Sequence, residues 1–277
     1  MSRTPRREAV YVLGRSEKET ARLQSQARFM EPFAERLFRD AGVRAGMNVL
    51  DLGSGAGDVA LLAARLVGPK GSVVGVDANA AILETARARA RDAGHRNVRF
   101  KAGDIRELAL DAEFDAVVGR YVLMFVPDPI AALRAAVDHV RAGGIAAFQE
   151  CDWTQSPYAV PSSPLLNQVW AWITDAFRKS GADTEMGLRL REVFLAAGLA
   201  EPQLHGDRPV GAGADWGGYS HIAGLMESVL PFLEARGIVT AEQVGVDSLS
   251  DRLRHEVVSQ DGVVVYQTLI RAWARKP

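Results

Sequence analysis

Gly53, Gly55 and Gly57 alternate between Asp51 and Asp58 in the run Val49-Leu50-Asp51-Leu52-Gly53-Ser54-Gly55-Ala56-Gly57-Asp58. Glycines so spaced let the backbone turn sharply and let a ligand approach the main chain closely. A dinucleotide loop would read G-x-G-x-x-G, with pyrophosphate on the helix N-terminus. Here the spacing is G-x-G-x-G, and an acidic side chain at position 58 would repel a pyrophosphate. Two more carboxylates stand at the ends of apolar runs: Asp77 after Val73-Val74-Gly75-Val76, and Asp104 in Ala102-Gly103-Asp104-Ile105. A carboxylate in the position of Asp77 can accept both hydroxyls of a ribose. Arg120 and Tyr121 follow a fourth such run, and Arg120 could pair with a ligand carboxylate or with Asp77. For proton transfer the candidates are His205, His221 and Glu150, with Asp152 beside Glu150.

The elements that must hold these residues follow from periodicity. Asn48 to Leu52, Ser72 to Val76, Val98 to Ala102, Phe114 to Val118 and Gly144 to Phe148 read as buried strands. Between them Asp58 to Val67, Asn79 to Ala93 and Pro129 to Val140 have helical spacing, and a leading helix is expected from Glu17 to Asp40, capped by Ser16 with Glu19. Alternating strands and helices imply right-handed crossovers and a parallel sheet covered on both faces. After the fifth strand the rhythm breaks. Trp153 to Pro164 is rich in proline, serine and aromatics and precedes a helix over Leu165 to Lys179. A helix over Met186 to Ala197, a sixth strand over Gln203 to Arg208 and a seventh over Val263 to Ala274 complete the reading. Residues 214–260 are too long for a simple connection and are expected to form a second helical cap.

The fold expected is therefore a doubly wound, Rossmann-like α/β architecture: a seven-stranded sheet, mostly parallel with the last strand antiparallel, carrying helical cap insertions. Residues 1–40 would cover the ligand and 41–152 form the ligand-binding half of the core. Residues 153–185 and 214–260 would be caps, with 186–213 and 261–277 the remainder of the sheet.

With 277 residues, 48% apolar and 24% charged, the composition is that of a globular chain, and a net charge of −1 gives no drive toward nucleic acid or anionic membranes. Cys151 is the single cysteine, so no thiolate metal cluster is expected, and no metal at all is expected in the site. No run has the length of a membrane span or the form of a leader. A soluble, reducing, cytoplasmic setting is expected, with a homodimer an open possibility.

The loop resembles the first motif of class I S-adenosylmethionine-dependent methyltransferases, D-x-G-x-G-x-G, on Asp51, Gly53, Gly55 and Gly57; Asp77 and Asp104 match the acidic residues after the second and third strands. The resemblance is to the small-molecule, UbiE-like branch, closest over Val43 to Phe148, and no N/D-P-P-Y motif follows the fourth strand. It implies S-adenosylmethionine as cofactor, a sulfonium cation suited to an acidic loop, with S-adenosylhomocysteine as product. Cofactor contacts implied are Asp51, Gly53, Ser54, Gly55, Asp77, Ala78, Gly103, Asp104, Ile105, Arg120 and Tyr121, with Tyr11 and Arg28 covering them. The reaction implied is methyl transfer to oxygen, nitrogen or carbon of a small organic acceptor such as a secondary metabolite or quinone-like molecule. An apolar or aromatic acceptor would suit Trp153, Tyr158, Trp170, Trp172, Trp216 and Tyr219 in the caps. The alternatives are a cofactor-binding protein that catalyses cyclisation, and an NAD-dependent oxidoreductase.

Overall fold

The computed structural model describes the backbone of residues 17–277 and the side chains of residues 29–277. The leading helix α1 (Glu17–Ala41) enters a regular alternation of β1 (Asn48–Leu52), α2 (Asp58–Val67), β2 (Ser72–Asp77), α3 (Ala80–Asp92), β3 (Val98–Ala102), β4 (Phe114–Arg120), α4 (Pro129–Asp138) and β5 (Val140–Asp152). Then come β6 (Tyr158–Val160), α5 (Pro164–Ser180), α6 (Met186–Ala196), β7 (Gln203–Asp207) and β8 (Val210–Ala212). The chain ends through α7 (Gly218–Glu234), α8 (Ala241–Val244), α9 (Leu249–Val258), β9 (Val263–Val265) and β10 (Thr268–Arg275).

Seven strands form the main sheet in the order β3-β2-β1-β4-β5-β10-β7. The first five run parallel, and β10 is antiparallel to both its neighbours, β5 and β7. Strand order reverses between β1 and β4, and in open α/β sheets ligands bind in the crevice outside the carboxyl ends at such a reversal. Side-chain alternation along β1 divides the core. Val49 packs with Leu37, Leu62 and Leu83 of α1, α2 and α3 on one face, whereas Leu50 and Leu52 join Leu133 of α4 and Leu190 of α6 on the other. Helices α5, α7 and α9 contribute Trp170, Met226 and Leu253 to that second cluster, so these helices share one core with the sheet.

Two strand readings are corrected. The fifth strand begins at Val140, which pairs with Phe114 of β4, and continues to Asp152, because β10 pairs with it from Arg275↔Ile145 to Thr268↔Asp152. The expected seventh strand, Val263 to Ala274, is two strands in different sheets: β9 lies between β6 and β8 in a separate three-stranded sheet, and β10 lies in the main one. The apolar run continues almost unbroken from Val263 to Ile270, which hides the change of sheet, although the buried side of the alternation changes phase between Tyr266 and Gln267. Among the described residues no helix is long and apolar enough to cross a membrane. The expected cap of α1 by Ser16 and Glu19 lies outside the described residues.

Candidate active site

A cavity of about 380 Å³ opens at the carboxyl ends of β1, β2 and β4. One half is built from the sheet loops: Gly53 to Ala56, Asp58 and Val59 after β1, Asp77 to Asn79 after β2, Asp104 to Arg106 after β3, and Arg120 at the end of β4. The other half is closed by Met30 of α1, Tyr121, Val122 and Met124 to Pro127, Cys151 and Trp153 around the end of β5, Phe177 of α5, His221 and Leu225 of α7, and Tyr266 and Gln267 between β9 and β10.

The glycine loop needs its glycines. Gly53 has φ +62°, and a Cβ there would lie 2.4 Å from Val122 Cγ2. Ser54 N–H donates to Val76 O at 3.0 Å and Gly57 N–H to Ser54 O at 2.8 Å, folding the turn onto β2. Asp77 then locks the two loops together, since its carboxylate accepts from Gly55 N at 2.9 Å and Asn79 N at 2.8 Å. Asp104 accepts from Arg106 Nε at 2.9 Å, and that guanidinium holds its carboxyl below the usual range.

The net acidic loop expected from the sequence is offset in the structure. Asp58 pairs with Arg89 at 2.6 Å and lies 3.8 Å from Arg120, so two guanidiniums face it. Arg120 thus meets Asp58, not Asp77. Asp51 is fully buried and does not line the cavity; burial pushes its carboxyl well above the usual range, and neither oxygen has a hydrogen-bond partner. Spacing and position identify this loop, while its net charge does so less than the sequence implied.

Tyr121 turns the chain out of β4 with φ +55°, an uncommon conformation for a residue with a side chain. Its N–H donates to Gln149 O at 2.9 Å. The next two amides, Val122 N and Leu123 N, donate to Glu150 Oε1 at 3.0 and 2.8 Å. Glu150 is therefore a buried anchor for the Tyr121–Pro127 wall. It is not a group at the mouth of the cavity, as its position after a shorter strand had suggested. Desolvation raises its pKa to about 8.

His205 is also corrected: it lies on the edge strand β7, stacked on Trp273 with ring centroids 5.0 Å apart, and is not part of the cavity wall. Gly103 supports the wall from behind by donating to Asp77 O at 3.0 Å, while Gly53, Ser54, Gly55, Asp77, Ala78, Asp104, Ile105, Arg120, Tyr121 and His221 all line it. Tyr11 and the side chain of Arg28 lie outside the described residues. Of the six aromatics singled out in the sequence, Trp153 lines the cavity directly; Trp170 stacks behind it at 5.2 Å, and Tyr158 is exposed on the small sheet.

Sequence reasoning missed Cys151, Phe177, Tyr266 and Gln267 as wall residues. Tyr266 is fully buried, its hydroxyl 2.9 Å from His221 Nε2, and Gln267 Nε2 donates to Cys151 Sγ at 2.9 Å. A wall residue following a run of valines looks like strand core, and only the break between two sheets turns it inward. Among the described residues no group of three or more metal-ligating side chains is present.

A doubly wound sheet with a glycine loop at its strand-order reversal and an acidic residue ending the second strand defines a nucleoside-cofactor site of the class I type. The family model described as "Methyltransferase domain" matches residues 44–191, just over half of the chain, and the chain belongs to that family, the class I S-adenosylmethionine-dependent methyltransferases. The ubiquinone/menaquinone biosynthesis C-methyltransferase UbiE of Idiomarina loihiensis is 37% identical over 132 residues, 47% of this chain and 50% of that protein. Aklanonic acid methyltransferase DauC of Streptomyces sp. strain C5 is 36% identical over 145 residues, 51% of this chain and 66% of that protein. The chain thus spans about half to two thirds of the length of these curated relatives. The YcgJ protein of Bacillus subtilis shares the fold at a TM-score of 0.57 and 19% identity, over 89% of this chain and 98% of its own.

Proposed function

We propose that this chain transfers the methyl group of S-adenosylmethionine to an oxygen, nitrogen or carbon atom of a small, uncharged, partly aromatic acceptor. The observation that carries the reading is the glycine loop at the end of β1, locked to Asp77 at the end of β2 and forming one wall of the same cavity as Trp153, Phe177 and Tyr266. When bound, the cofactor supplies an electrophilic methyl on a sulfonium. Asp77, fixed by two amides, keeps lone pairs for ribose hydroxyls. Ser54 Oγ lines the cavity and is buried without a partner at the loop, and the ammonium of the cofactor's amino-acid end would supply the donor it lacks. Asp104, Ile105 and Ala78 would flank the base, and Arg120 and Tyr121 the methionine portion. The enclosing caps would align nucleophile, methyl and sulfur and exclude water, which supplies much of the rate for an already activated donor.

In the acceptor half no lysine or arginine is among the described wall residues, which favours acceptors without phosphate. A quinone-like acceptor, in keeping with the ubiquinone/menaquinone biosynthesis named for UbiE, suits that wall. With Cys151 its only cysteine, a cytoplasmic setting suits the chain.

Calorimetric titration with S-adenosylhomocysteine and with NAD tests the cofactor, and the expected result is binding of the first alone. Screening acceptors by mass for the gain of one CH₂, with S-adenosylhomocysteine released in equal amount, tests the transfer. Binding of NAD in preference would overturn the reading, and cofactor consumption without methylated product would favour a different reaction.

A further inference from the structure

Tyr266 and His221 come from distant parts of the chain, the first from the gap between β9 and β10 and the second from α7, and meet in the cavity wall. Tyr266 is 0% and His221 3% exposed, and Tyr266 Oη lies 2.9 Å from His221 Nε2. Aromatic faces enclose the pair: Phe29 stacks on His221 at 4.8 Å, and Trp170 meets Tyr266 edge-on at 5.5 Å. Two polar groups that only satisfied one another would be an ordinary core pair. This pair also borders the space left for an acceptor, and a tyrosine hydroxyl that donates to an imidazole still has lone pairs with which to accept. The other protic side chains of that wall lack such a partner, since Tyr121 Oη donates to Met30 Sδ at 3.3 Å and Cys151 Sγ accepts from Gln267 Nε2 at 2.9 Å, and neither is joined to an imidazole.

Building on the methyl-transfer reading, we infer that Tyr266 and His221 form a proton relay selecting acceptors that present a weakly acidic O–H, a phenol or enol, on an uncharged planar body. Tyr266 Oη takes the acceptor's hydroxyl proton and passes its own to His221 Nε2. The acceptor oxygen, now an oxyanion, forms the C–O bond to the methyl carbon while the C–S bond breaks and its electron pair goes to sulfur. The positive charge that began on the sulfonium ends on the His221 imidazolium, so charge and atoms balance. Burial pushes the Tyr266 hydroxyl well above its ordinary pKa, which suits a hydroxyl that passes a proton on without storing charge.

The probe is 4-nitrophenol, whose phenolate is coloured, bound to the full chain in the presence of S-adenosylhomocysteine so that no turnover occurs. The wild-type complex should ionise the dye at a lower pH than free solution does and bind it at least tenfold more tightly than 4-nitroanisole, which has no O–H. Tyr266→Phe and His221→Gln should each abolish the shift in ionisation and the preference, while leaving affinity for 4-nitroanisole and for S-adenosylhomocysteine unchanged. A wild type that does not favour the phenol, or a Tyr266→Phe variant that ionises it as the wild type does, overturns the relay. Failure of the wild type to bind S-adenosylhomocysteine would instead overturn the cofactor reading, so the two failures are told apart. The His221→Gln variant keeps the test open should Tyr266→Phe not fold.

Discussion

Gly53 and Glu150 each hold the wall of the cavity by means a single substitution can isolate. At Gly53 a methyl group would meet Val122 at 2.4 Å in a left-handed backbone, so Gly53→Ala should cost about 1–3 kcal/mol of stability and weaken S-adenosylhomocysteine binding at least about tenfold, read by urea unfolding and calorimetry. Glu150→Ala removes the acceptor of two buried amides and should destabilise by about 1–3 kcal/mol, whereas Glu150→Gln keeps a carbonyl oxygen there and should lose less. Glu150 also predicts a pH dependence. Its folded pKa of about 8 lies above the ordinary value of 4.5, so the folded state holds its proton more tightly than the unfolded one does. Its contribution to stability is complete below pH 4.5 and is lost as pH rises through 8. Unfolding free energies measured from pH 5 to pH 9 should fall less steeply in Glu150→Gln than in the wild type. Residues that act through backbone conformation, such as Gly53, were legible because only glycine serves there. Glu150 was not, because a carboxylate near a strand end looks the same whether it faces a ligand or two amides.

At the scale of elements, strands and helices from β1 to α4 matched their hydrophobic periodicity to within a residue or two, since each buries a face that repeats. The exceptions are strands whose length or partner is decided elsewhere. β5 is extended by pairing with β10, the three-residue strands β6 and β8 have too few residues for a pattern, and β9 and β10 follow one another as a nearly continuous apolar run across two sheets. The far edge of the main sheet hangs on Arg271 of β10. Its guanidinium is buried, pairs with Asp207 of β7, and reaches Asp40 of α1 at 2.9 Å. Arg271→Met should leave two carboxylates facing an apolar side chain and cost about 3 kcal/mol, with protection of the β7 and α1 amides in hydrogen exchange lost first.

For the whole molecule, the seven-stranded, mostly parallel sheet with its last strand antiparallel followed from βαβ logic, because right-handed crossovers leave few alternatives. The acceptor half did not, for it is assembled from α1, α5, α7 and the β9–β10 gap, segments far apart in sequence whose meeting no local pattern encodes. Because helices α5, α7 and α9 share one core with the sheet, a ligand in the cavity should stabilise the chain as one cooperative unit. S-adenosylhomocysteine at about a hundred times its dissociation constant should add about 2.7 kcal/mol and raise a single melting transition, with NAD giving no shift.

The gap that holds Tyr266 and Gln267 is fixed at both ends by strand pairing, Val265 to β6 and β8, and Thr268 to β5. The two sheets thus hold the backbone of this short segment from either side and present its side chains to the cavity from a fixed position. The scaffold thus separates two tasks: a loop whose glycines fix its backbone forms one wall, and side chains gathered from distant segments and held by two sheets form the other.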